Sequence, residues 1–218
     1  MNADPISIRQ GRPKDSVKRE EIVAAATRLF MDNGFECTSI ESVAREAGVS
    51  KLTIYSHFAD KKELFRAIMQ TRCDKIGMPL TLLDHAQMPA EEALLSIARS
   101  AMSKIFRPDS IRLIRVINAE ILHRPEIAQI YYEVGPQRVR AAFADLLSEF
   151  TRLGKLSIAN PAVAAEQFFS LLKGEMMQRV LMAITPMPTA EEIEKQIQNT
   201  IALFLAAYGP RTKSTTAA

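Results

Sequence analysis

The 218 residues are 47% hydrophobic and 24% charged, with 28 Lys and Arg against 25 Asp and Glu and a formal net charge of +3. That suits one sizeable core, or a small domain joined to a larger one, and excludes a membrane-spanning chain, since there is no run of about 18 apolar residues and no apolar leader. The two cysteines, Cys37 and Cys73, have neither metal-ligand nor redox spacing and make no disulfide framework, so a reducing cytoplasm is the expected compartment.

Residues 1–16, "MNADPISIRQGRPKDS", mix Pro, Gly and Ser with Arg9, Arg12 and Lys14 and show no apolar period, which reads as a flexible basic arm. Val17, Ile22, Ala25, Ala26, Leu29 and Phe30 then fall on one face of a first helix, capped by Asp15 or Ser16 and stopped at Gly34. Thr38 or Ser39 caps a second helix with Ile40, Val43, Ala44 and Ala47 inside, and Gly48 ends it. A third helix opens at Ser50 and runs to about His57, and Asp60 caps a fourth through "KKELFRAIMQTRCDKIG".

Beyond it the periodicity predicts a helix from Ala90 to Phe106 and another over "IRLIRVINAEIL", broken before Pro125. A long amphipathic stretch follows with Gly135-Pro136 inside it, which allows a kinked helix or two helices. Two terminal helices start at Pro161 and Thr189, the second ended by Gly209-Pro210, and residues 211–218 read as a disordered tail. The fold class is all-α, about nine helices. Its expected parts are a head at 17–66 and a body at 67–210.

Helices two and three, with the Gly48 turn between them, have the make-up of a helix-turn-helix: small Ala44 at the crossing, and Val49, Ile54 and Phe58 to pin the third helix. Lys51, Leu52 and Thr53 are then the candidates for base edges in a major groove, by donation to guanine, apolar contact and a hydroxyl respectively. Thr38, Ser50, Tyr55, His57 and Lys61 have the chemistry for phosphate contacts. Spacing alone leaves ordinary helix packing open.

The stretch "TSIESVAREAGVSKLTIYSHFADKKELF" resembles the DNA-binding signature of the TetR family of transcriptional regulators. The residues that carry the likeness are Ala44, Ala47-Gly48-Val49-Ser50, Tyr55-Ser56-His57-Phe58, Lys61 and Leu64, with Gly34, Phe35 and Thr38 upstream. Lys62 stands where many members have an acid. In the body, Arg124-Pro125-Glu126 and Tyr132 to Pro136 are similar to the AefR-like branch. The resemblance implies a homodimer on a pseudo-palindromic double-stranded DNA operator, with a small-molecule effector in the body acting through the fourth helix.

Within the body, Phe168, Met176, Val180, Ile197, Ile201, Phe204 and Leu205 give the last two helices apolar faces that two copies can pack as a four-helix bundle. A largely apolar effector pocket is expected among Met102, Phe106, Arg115, Asn118, Phe143, Phe169 and Met177. No carboxylate pair, nucleophile triad or metal-spaced cluster is visible, so neither enzyme activity nor a cofactor or metal is expected. The reading is a ligand-responsive repressor. Two others stay open: a helical small-molecule-binding protein with a vestigial DNA-binding head, and a helical enzyme with a cryptic pocket.

Overall fold

A computed structural model describes residues 13–76 and 82–210; the expected arm up to Arg12 and the tail from residue 211 lie outside them. All regular structure in the described residues is helical: α1 (Pro13–Asn33), α2 (Ile40–Glu46), α3 (Lys51–His57), α4 (Lys61–Ile76), a 3-10 turn (Leu82–Gln87), α5 (Ala90–Ile105), α6 (Pro108–Glu120), α7 (Pro125–Tyr132), α8 (Arg138–Arg152), α9 (Pro161–Leu181) and α10 (Ala190–Tyr208). No helix among them is long and apolar enough to cross a membrane. The chain divides into two compact units after Met69, inside α4.

In the first unit, α1 buries Ile22, Val23, Ala25, Ala26 and Phe30, whereas Val17 is 52% exposed and lies off the predicted face. The helix starts at Pro13, so Asp15 and Ser16 sit in its first turn and do not cap it; a proline with preset φ opens it instead. Phe30, Phe35 and Phe65 pack as a trio with ring centroids 5.4 to 5.7 Å apart. Ser39 caps α2 in a reciprocal box, with the Ser42 amide donating to the Ser39 hydroxyl at 3.0 Å and the Ser39 amide to the Ser42 hydroxyl at 3.1 Å.

The second unit is built on aromatic packing between α8, α9 and α10. Phe143 meets Phe168 at 4.6 Å and Phe169 at 5.4 Å between centroids, and Phe204 meets Phe168 at 5.2 Å. Both terminal helices begin as the sequence predicts: the Val163 amide donates to Asn160 Oδ1 at 3.2 Å, and Thr189 and Glu192 form a second capping box. The Gly135-Pro136 segment resolves as a π-type turn (Glu133–Gln137) that joins α7 to α8 without a break. Pro136 has no N–H to give the helix, and the wider turn absorbs the missing bond.

One departure was not predicted. α9 kinks at Gly174, whose φ of 49° and ψ of −157° are not helical. A straight helix would bond the Leu171 carbonyl to the amide four residues on; here the Gln196 side-chain amide of α10 donates to it at 2.6 Å.

Candidate nucleic-acid interface

Gly48 sits at φ 66°, and a Cβ added there would meet nothing within 4 Å, so the turn requires glycine for its backbone conformation and not for space. The turn lets α3 restart at Ser50, whose hydroxyl accepts from the Thr53 amide at 3.1 Å. Ile54 and Phe58 are at most 1% exposed and lock the helix down, and the Arg19 guanidinium covers the Phe58 ring at 5.0 Å. The opposite side of the same short helix is solvent-facing. Leu52 is 82% exposed and Tyr55 52%.

Lys51 is exposed and ion-paired with Glu41 in the first turn of α2, and that ammonium holds the Glu41 carboxyl below its ordinary range. Thr53 is half-buried and shares a 2.9 Å hydroxyl–hydroxyl contact with Ser50. These residues therefore lie together on one outward surface, their polar groups held by local partners.

Three of the expected phosphate contacts are placed differently. Thr38 is only 1% exposed, and its hydroxyl turns inward to the carbonyls of Gly34 at 2.8 Å and Leu29 at 3.1 Å, where it closes the α1–α2 link. Burial of a hydroxyl demands such partners, so Thr38 is structural in this conformation. The His57 side chain is 9% exposed, with Nε2 3.3 Å from Asp15 Oδ1. Lys61 donates to the Glu36 carbonyl at 3.2 Å and lies 4.3 Å from the Phe35 ring.

In the body, Met102, Phe106, Phe143 and Phe169 gather in one buried cluster with Met177 packed against it. Arg115 does not join them: it donates to the carbonyls of Val180 and, at 3.1 Å, Leu181, closing the end of α9. Asn118 lies on the exposed side of α6. The expected dimer face also needs correction. Phe168, Val180, Ile197, Ile201 and Phe204 are at most 2% exposed and belong to the protomer's own core, while Met176 and Leu205 are partly buried against it. The amphipathic pattern marks a buried face without saying which surface buries it. Large apolar side chains that α9 and α10 leave outside include Val163, 42% exposed, Leu171, 37% exposed, and Leu203, 59% exposed, the latter two beside a groove of about 540 Å³ also lined by Gln167, Ser170 and Ala207.

A compact helical head with an outward helix-turn-helix, carried on a separate helical unit, defines a DNA-binding regulator. The profile of the bacterial regulatory proteins of the tetR family matches residues 22–68, and that of the AefR-like transcriptional repressor C-terminal domain matches residues 92–210. The chain belongs to the TetR family of transcriptional regulators, with an AefR-like body.

A TetR-family transcriptional regulator from Mesorhizobium loti MAFF303099 superimposes with a TM-score of 0.79 at 27% identity, over 91% of this chain and 100% of that one. The flavonoid-responsive regulator FrrA gives 0.76 at 30% identity, over 90% and 100%. The transcriptional activator FasR of Mycolicibacterium smegmatis is 36% identical over 64 residues, and the match spans only 29% of each chain.

Proposed function

We propose that this regulator is a repressor that binds a pseudo-palindromic operator as a homodimer and releases it when a small, largely apolar molecule enters the body. The observation that carries operator binding is the two-sided character of α3: Ile54 buried completely, Leu52 82% exposed. On this reading Lys51, Leu52 and Thr53 meet base edges and Ser50 and Tyr55 meet phosphates. His57 and Lys61 reach the backbone only after leaving Asp15 and Glu36. Lys51 exchanges Glu41 for DNA.

Residues 17–66 act as the DNA-binding head and 67–210 as the effector and dimerisation part. An AefR-like repressor body over residues 92–210 supports the sign of regulation. FrrA, described as flavonoid-responsive, supports an effector of aromatic type. The dimer is assigned to the outer side of α9 and α10 around Leu171 and Leu203, where exposed apolar side chains flank a groove. The protein acts in the cytoplasm, where operator and effector meet.

The test is selection of genomic DNA fragments by the purified protein, then titration of the best fragment at several salt concentrations. The expected result is a discrete inverted repeat bound far more tightly than random DNA, with affinity falling steeply as salt rises. A folded dimer that enriches no fragment rejects the reading.

A further inference from the structure

Two half-buried cations of the body stand without the carboxylate partners that several other basic side chains of the chain have. Arg99 is matched by Glu194 at 2.6 Å, Arg152 by Glu149 at 2.6 Å, Arg179 by Glu175 at 2.9 Å and Arg72 by Asp109 at 3.6 Å. Arg140 on α8 and Lys173 on α9 have no carboxylate and no hydrogen-bond acceptor among the described residues. Arg140 Nη1 is buried and unbonded, and the guanidinium carbon lies 5.3 Å from the centroid of the Tyr132 ring. Lys173 is half-buried, directly before the Gly174 kink.

The packing register brings the two cations together. Phe143 and Phe169 meet at 5.4 Å across the α8–α9 hairpin. Arg140 lies one turn before Phe143 and Lys173 one turn after Phe169, each on the same face as its phenylalanine, so in antiparallel helices they fall opposite one another. Burial first and the Arg140 charge second lower the Lys173 pKa, as this proximity requires. Tyr131 joins from the end of α7. Its hydroxyl makes no hydrogen bond among the described residues, and burial pushes its pKa up to about 12, so it stays a neutral donor at physiological pH. At the π turn the packing is tight: a Cβ on Gly135 would sit 3.1 Å from Cys73 Sγ.

Two neighbouring half-buried cations without a counter-ion repel one another, and a negative group between them relieves that repulsion. A guanidinium with free N–H groups, an ammonium and a phenol make a donor set that suits a carboxylate. We infer that Arg140 and Lys173, with the Tyr131 hydroxyl beside them, bind the acidic group of the effector, a carboxylate or an ionised phenol. Its apolar part then lies toward Phe169, one turn before Lys173, and toward Met177 beyond the Gly174 kink. This deepens the effector-binding reading of the body and rests on it.

The experiment titrates the full-length protein by calorimetry with benzoate, salicylate and cinnamate and with their uncharged amides, and repeats this on Lys173→Met and Arg140→Met. At least one acid is expected to bind roughly tenfold or more tighter than its amide, and each variant to lose that preference. Ligand-free Lys173→Met is expected to melt no lower than the parent, because the substitution removes an uncompensated charge and keeps the apolar stem. Should Arg140→Met fail to fold, Lys173→Met alone decides. Acids and amides binding alike, no acid binding, or Lys173→Met retaining the preference would each overturn the anion site. Operator release by an uncharged flavonoid from parent and Lys173→Met alike would also overturn it and leave the ligand-responsive reading standing. Acid binding that never affects operator binding would do the reverse.

Discussion

The head and the body solve opposite problems with the same helical material. In the head the candidate contact side chains stand outside: α3 buries Ile54, Phe58 at its end is buried too, and Leu52 and Tyr55 are left in solvent. In the body most of the apolar residues singled out by pattern are inside, with Met102, Phe143 and Phe168 fully buried. A surface that reads a rigid, fixed partner such as B-DNA shows itself as exposed polar and apolar groups on a locked frame. On the proposed reading, a unit that takes a small molecule shows its function as a gap in its own charge pairing, here two half-buried cations without anions.

The strongest break in that comparison is a core substitution in the body. Phe143→Ala removes the ring shared by Phe168 and Phe169 and should cost about 3–5 kcal/mol. Denaturant unfolding measures the loss, and hydrogen exchange of the α3 amides reports on the head. If α3 loses protection to the same extent, the two units unfold as one and the contrast drawn above fails. Next is the outer surface of the body. Leu203→Glu puts a charge on a side chain 59% exposed and should turn the dimer into a monomer by light scattering, with helicity unchanged. A dimer that survives the charge moves the interface elsewhere.

On the head, Tyr55→Ala should weaken operator binding by about 1–2 kcal/mol, the worth of a hydrogen bond to a charged phosphate, and leave the dimer intact. Unchanged affinity in a fluorescence titration removes Tyr55 from the interface. A smaller effect of opposite sign is expected inside α10, where the Thr200 hydroxyl is buried with no partner. Thr200→Val keeps the shape and deletes the unmatched group, so the body should gain about 1 kcal/mol in denaturant unfolding. A loss would mean that the hydroxyl has an acceptor in solution.

The legibility of the sequence divides along the same line. Gly48, the Ser39 and Ser50 caps and the inward Ile54 were readable because local chemistry determines them within a few residues. Thr38 misled because a hydroxyl at a helix entrance serves a phosphate or a buried carbonyl equally well, and only packing against Leu29 decides. The face of Phe168, Ile197 and Phe204 misled for a related reason: periodicity says that a stripe is buried, not by which molecule. Arg140 and Lys173 went unnoticed because 33 residues separate them and neither carries a motif; their meaning comes from what they lack in space. The Gly174 kink had one legible sign, a glycine inside a helix, and its partner Gln196 had none.

The least dramatic prediction tests how the body holds α5 against α10. Arg99 donates to Glu194 through Nε at 3.0 Å and Nη2 at 2.6 Å, and Gln198 adds a third donor at 2.8 Å. The Arg99 hydrogen bonds, with that of Gln198, hold the Glu194 carboxyl at about 2, against an ordinary value of 4.5. A carboxyl depressed in the folded state favours folding while it is ionised in both states, so its contribution is present above pH 4.5 and is lost as pH falls toward 2. Glu194→Gln should therefore flatten part of the fall in melting temperature across that window and leave operator affinity alone. The pair is exposed and screened by salt, so the flattening should be clearest at low ionic strength. An unaltered acid profile would mean that the Arg99 tie forms equally in the unfolded chain, or that other carboxylates govern the acid limit of the body.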